Sequence, residues 1–101
     1  MNKYLIFLII VFSSHHSLLT QNKVEIIDSI IYLRNLSNDE KIKTNEKLSY
    51  AIKAYKLSAQ TNIDSTILMS GRVLSYMYAI NDHFENYRFY NHKNLKLATK
   101  L

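Results

Sequence analysis

Apolar residues recur along the chain at helical intervals, and short polar clusters interrupt them three times. Between Val24 and Leu36, Ile26, Ile27, Ile30, Ile31 and Leu33 predict a first helix, with Asp28 in its first turn. The β-branched content would also suit a strand, but no partner strand is readable elsewhere. Ser37-Asn38-Asp39-Glu40 carries stop and start signals together. Ser37 or Asn38 is expected as the N-cap of a second helix, and Asp39 and Glu40 are placed to complement its dipole. That helix is expected to run to about Thr61, with Thr44-Asn45 weakening or bending it, and to present the stripe Leu48, Ala51, Ile52, Tyr55 and Ala59. At the next break Asn62 suits a left-handed closing residue, and Asp64 or Ser65 is the expected cap of helix three.

In the third helix Ile67, Gly71, Leu74 and Tyr78 fall on one line, with Val73, Met77 and Ile80 beside them. Glycine inside a helix costs about 1 kcal/mol relative to alanine, so Gly71 predicts the close approach of another helix. Asn81-Asp82 ends this run. A fourth helix is expected from about His83 to the C-terminus, with Phe84, Tyr87, Asn91, Asn94, Leu95 and Ala98 inward.

Residues 1–20 differ from the rest. Lys3 precedes the wholly apolar run from Tyr4 to Phe12, and Ser13-Ser14-His15-His16-Ser17 follows. This is the layout of a secretory signal peptide, and the apolar run falls short of the roughly 20 residues that a spanning helix needs. A retained membrane anchor and a buried N-terminal helix are the alternatives. Ser17-Leu18-Leu19-Thr20 lacks an Ala-x-Ala pattern, so a cut near Gln21 rests on position alone. The remainder, residues 21–101, is read as one helical domain.

Composition narrows the class further. The chain has 101 residues, no cysteine, no proline and one glycine, which removes disulfides, thiolate metal sites and most of the material for tight hairpin turns. An all-α fold held by packing alone is expected, and a domain this small is marginal unless it docks on more of itself or on a partner. Loss of Lys3 with the leader leaves 12 of the 13 basic residues against 8 acidic ones. They are spread along the chain as on a solvated helix face rather than in a nucleic-acid-binding stripe, so no nucleic acid is expected.

Catalytic chemistry finds no constellation. His83 and His92 lie nine apart and so miss the i+3 or i+4 spacing of a helical pair. There is no His-Glu-x-x-His, no glycine-rich phosphate loop and no paired carboxylate with an obvious cleft. His15 and His16 have no third ligand nearby. The expectation is a protein that is not an enzyme and holds no metal or cofactor.

One segment has an echo. Ser49 to Ser58 aligns with Phe89 to Ala98, 40 residues on, with Tyr, Lys, Lys and Leu identical at equivalent places. With Leu74-Ser75 where that family has Leu-Gly, Tyr78 at its helix-A aromatic and Phe84 at the aromatic opening helix B, residues 71–101 resemble a tetratricopeptide repeat (TPR). Ala51 and Ala54 stand at small positions of helix B in the preceding repeat. Departures are Tyr87 and Asn94 at small positions, the absence of Trp and of a terminal Pro, and a first helix A without Leu-Gly-x-x-Tyr.

The resemblance implies antiparallel helical hairpins stacked as a short TPR-like solenoid of about four helices after the signal peptide. Its packing residues would be Ala51, Ala54, Gly71, Leu74, Tyr78, Phe84 and Tyr87. It further implies an exported, periplasmic or secreted scaffold for protein–protein interaction, most like the arrays in the exported part of bacterial sensor proteins. A protein or peptide partner would lie against Arg72, Ser75, Tyr76 and Met77 on the third helix. Repeat arrays need a polar cap, so self-association through the last helix, a covering partner or further repeats is expected. The alternative function is a membrane-anchored basic helical protein on anionic lipid.

Overall fold

A computed structural model describes residues 23–101, and the leader with its histidines lies outside the described residues. Four helices make up the described chain, and no strand occurs among the described residues. The first, α1, is described over residues 23–37. It is followed by α2 (Thr44–Thr61), α3 (Asp64–Ile80) and α4 (Phe84–Ala98), with α3 packed against both α2 and α4. The result is the all-α arrangement of adjacent, packed helical hairpins that the periodicity predicts.

The α1–α2 link departs from expectation. Ser37 is not a cap; its hydroxyl lies within the last turn of α1 and donates to the Arg34 carbonyl at 2.7 Å. Asp39 and Glu40 do not open α2 either, because the Asp39 carboxylate accepts the Lys41 N–H at 2.9 Å and closes a local turn. A short acidic side chain that captures the backbone two residues on competes with helix formation. Helix α2 therefore starts at Thr44, after Lys43 in extended conformation.

At the α2–α3 joint Asn62 takes the left-handed conformation, with φ 57°. Thr61 reinforces the turn: its hydroxyl donates to the Ser58 carbonyl at 2.7 Å and accepts the Ile63 N–H at 3.2 Å. Ile63 occupies the N-cap position without a side-chain bond, so neither Asp64 nor Ser65 caps α3; Asp64 is its first residue. The α3–α4 turn closes around Asp82 at φ 62°, with the His83 N–H donating to the Tyr78 carbonyl at 2.9 Å. The Asn81 carboxamide donates at 2.8 Å to the Met77 carbonyl and at 3.1 Å to the Thr44 carbonyl, which ties the end of α3 to the start of α2.

Small residues let the helices meet. Ala51, Leu74 and Met77 form the buried centre, with Leu48, Ile52, Tyr55, Val73, Tyr78 and Tyr90 packed around it. Between α2 and α3 the Ser58 and Ser70 hydroxyls are 2.6 Å apart in a fully buried contact. Ser58 spends its proton on the Ala54 carbonyl at 2.8 Å, so Ser70 is the donor of the pair.

Gly71 meets α4. A Cβ built on it would collide with the Asn94 side-chain oxygen and stand 3.1 Å from its Cγ. Seating Asn94 there turns α4 so that Tyr87, Tyr90, Asn94 and Leu97 lie on or beside the packed face. The inward stripe expected for this helix is corrected accordingly: Phe84 is 53% exposed, Leu95 is 60% exposed, and Asn91 is exposed.

Asn94 also leaves its side-chain nitrogen buried without a partner, a cost of about 1–3 kcal/mol. Gly71→Ala is expected to destabilise by about 1–2 kcal/mol, because overpacking against Asn94 outweighs the gain in helix propensity. In an Asn94→Ala background the same change should stabilise by about 1 kcal/mol. Urea unfolding of the two single variants and the double variant measures this reversal; an equal cost in both backgrounds would remove Asn94 as the cause.

Candidate functional site

A groove runs between α1 and α3. It has a volume of about 360 Å³ and is lined by Ile31, Arg34, Asn35, Asn38, Met69, Arg72 and Val73. Arg34 and Arg72 come from corresponding turns: Arg34-Asn35-Leu36-Ser37 recurs as Arg72-Val73-Leu74-Ser75, 38 residues later. In both, the buried serine hydroxyl donates to the arginine carbonyl three residues back, at 2.7 Å for Ser37 and 3.0 Å for Ser75. With each serine directed into the core, each arginine lies on the groove side. Two guanidiniums, two carboxamides and an apolar floor from Ile31, Met69 and Val73 can recognise carboxylates carried on an apolar segment.

The structure divides the four residues expected to line a partner site. Arg72 is exposed and lines the groove, and Tyr76 is exposed one turn further along α3. Ser75 at 6% and Met77 at 2% exposure face the core instead. Positions 72 and 76 share an exposed face, while 75 and 77, to either side of it around the helix, turn into the core, so one contiguous stretch could not supply a lining. Sequence reasoning missed Arg34, Ile31, Asn35, Asn38, Met69 and Val73 as lining. The recurring Arg-x-Leu-Ser was the available signal; it is offset by 38 residues, so a search at the 40-residue period passes over it.

The expected packing residues also separate. Ala51, Ala54, Gly71 and Leu74 are buried, Tyr78 and Tyr87 are half-buried, and Phe84 lies at the surface. Tyr90 does the filling assigned to Phe84. Its ring stacks on Tyr78 at 5.6 Å and meets Tyr55 edge-on at 5.3 Å, so one side chain joins α2, α3 and α4. The match of Tyr50 with Tyr90 in the echo was its sequence signal.

A second cleft of about 360 Å³ opens beside α2 and α4, lined by Tyr55, Ala59, Ile67, Lys93, Lys96, Leu97 and Lys100. Lys93 Nζ lies 6.0 Å from the Tyr55 ring centre and 5.6 Å from that of Phe89. Among the described residues no three His, Cys, Asp or Glu side chains converge as a metal site, and no helix is long and apolar enough to cross a membrane. Compared with protein-family models, curated proteins and solved structures, the chain matches none.

Burial, and after it the neighbouring Tyr90 phenol, push the Tyr78 hydroxyl above its ordinary value. A raised pKa means that the folded state keeps this proton when the unfolded chain, near pH 10, has lost it. The contribution is complete below about pH 10 and is lost as pH rises through the folded value. Stability should therefore fall above about pH 10, and Tyr78→Phe should lessen the fall; urea midpoints measured from pH 8 to 11.5 test this, and parallel curves for the two proteins would count against it.

Proposed function

We propose that this chain is an exported helical-repeat scaffold that binds a protein or peptide partner in the groove between α1 and α3. The partner segment carries carboxylates between apolar side chains. One observation carries the reading: two arginines from corresponding turns of two hairpins flank an apolar floor in one groove. The four-helix arrangement with small residues at the helix contacts supports the resemblance to TPR arrays, and groove recognition by A helices would follow from it. On this reading α1 and α3 are the A helices, and the segment is the sensory front of a signalling protein. Export rests on the leader, and N-terminal sequencing of the mature protein tests it directly: a start near Gln21 supports export, and a retained Met1 in the membrane fraction sinks it.

Selection from a displayed peptide library tests the groove. The expected winners contain Asp, Glu or a terminal carboxylate beside a large apolar residue. Arg34→Ala and Arg72→Ala should each weaken the selected peptides by about 10–100-fold, the loss of a charge-assisted hydrogen bond of roughly 1.5–3 kcal/mol. The melting temperature should barely move, because both guanidiniums line the groove rather than the core. Peptides that bind both variants as well as the parent would refute the groove.

A second reading has its own observation. Lys93, Lys96 and Lys100 rim an apolar cleft, a surface suited to anionic lipid beneath a retained anchor. Each lysine at such a surface contributes about 1 kcal/mol. Co-sedimentation with vesicles containing one-third phosphatidylserine should then fall sharply for the Lys93→Glu, Lys96→Glu, Lys100→Glu variant; equal binding to purely zwitterionic vesicles eliminates this reading.

A further inference from the structure

The two hairpins of this chain are related residue by residue, and that relation exposes an unfilled face. Helix α4 repeats α2 at a distance of 40 residues, from the helix starts at Thr44 and Phe84 through the echo ending at Ser58 and Ala98. At part of their surface the environments agree: Ala54 and Asn94 are both buried, and Leu57 and Leu97 are both half-buried. Where α2 is covered by the next hairpin they differ. Ala51 is buried and Tyr55 half-buried beneath α3 and α4, whereas their counterparts Asn91 and Leu95 are exposed. Leu48 and Ile52, packed on the core, correspond to the exposed Arg88 and His92.

The face that would cover α4 exists on α1. By the 38-residue relation, Tyr32 corresponds to Ser70, the α3 residue that touches α2. Tyr32 is 64% exposed and stands in line with Glu25, Asp28, Asn35 and Asp39, spaced by three and four along α1 and into its following turn. Charge is complementary. That line holds three carboxylates and no base, while the open face of α4, formed by Arg88, Asn91, His92 and Leu95, holds the base Arg88 and no acid. The internal α2/α3 contact fixes the register: Arg88 comes opposite Asp39, and Ala98 comes opposite Tyr32.

We infer that the open face of α4 receives α1 of a second copy of this chain, head to tail, continuing the stack that the two hairpins begin. The contact is heterologous, with different patches on the two partners, so it propagates rather than closing as a symmetric dimer. It goes beyond the groove reading and does not depend on it. Each junction would set another arginine-bearing helix beside the last and lengthen the groove.

The chain has no cysteine, which makes cross-linking the direct test on the full chain. Ser58 and Ser70 touch within one molecule; positions 98 and 32 should touch between two. Ala98→Cys and Tyr32→Cys proteins, mixed and oxidised with diamide, should form the mixed disulfide about tenfold faster than either forms it with a Gln60→Cys control, as proximity at disulfide distance requires. Arg88→Glu in the first protein should lower that rate roughly tenfold, and Asp39→Lys in the second should restore it, since reversing both partners restores the charge match. A mixed rate no higher than the control overturns the inference. So does rapid disulfide formation by Ala98→Cys protein alone, which would indicate a symmetric α4–α4 contact. A Ser58→Cys, Ser70→Cys chain should close internally; failure there removes the internal contact used as the template and overturns the inference with it.

Discussion

The seating of Asn94 against Gly71 governs where everything on α4 goes. A helix can present only part of its surface to a neighbour, and the closest point of approach sets which part. With the carboxamide over the one position in α3 that has no side chain, Tyr90 is carried into the space between α2 and α3, and Leu95 is carried out. The aromatic contacts of Tyr90 with Tyr55 and Tyr78, each of about 0.5–1.5 kcal/mol beyond area burial, follow from that rotation. The uncovered face of α4 follows from it as well. The seat costs an unpaired buried nitrogen, so the tyrosine packing it permits has to outweigh that loss.

Helix type, number and most stops could be read from the sequence, because they depend on local causes. Asn62 and the Asn81-Asp82 pair ended helices where their short amide and acid side chains tolerate positive φ, and Gly71 marked a real helix contact. What could not be read were properties set by neighbours. Asp39 was expected on a helix dipole, yet its carboxylate closed a turn of its own. Phe84 and Leu95 had the apolar character of core residues, but the contact at Asn94 settled the facing of α4. Ser75 and Met77 were taken for groove residues because they lie beside Arg72 and Tyr76 in sequence. On a helix successive residues are turned about 100° apart, so Ser75 and Met77 flank the exposed face of Arg72 and Tyr76 and are buried.

The same distinction applies to the groove. Arg72 could be proposed from position on α3, but a groove needs two walls, and Arg34 stands on the other. The arginines correspond because each is followed three residues on by a buried serine bonded to its carbonyl. That serine is a small core residue that lets helices approach, and its placement dictates the direction of the arginine. Charge at the surface is thus fixed by packing beneath it.

The two links within the hairpins differ in length, and this bears on how the groove responds to an occupant. Residues 81–83 join α3 to α4, with positive φ at Asp82 and a carboxamide that reaches across to Thr44. Six residues, 38–43, join α1 to α2, held by short local bonds such as that between Asp39 and Lys41. One wall of the groove, α3, packs between α2 and α4, and the other, α1, is seated through the buried Ile30 and Ser37 and joined by the longer link. The backbone freedom to change the spacing of the two walls therefore resides in the six-residue link and not in the three-residue turn.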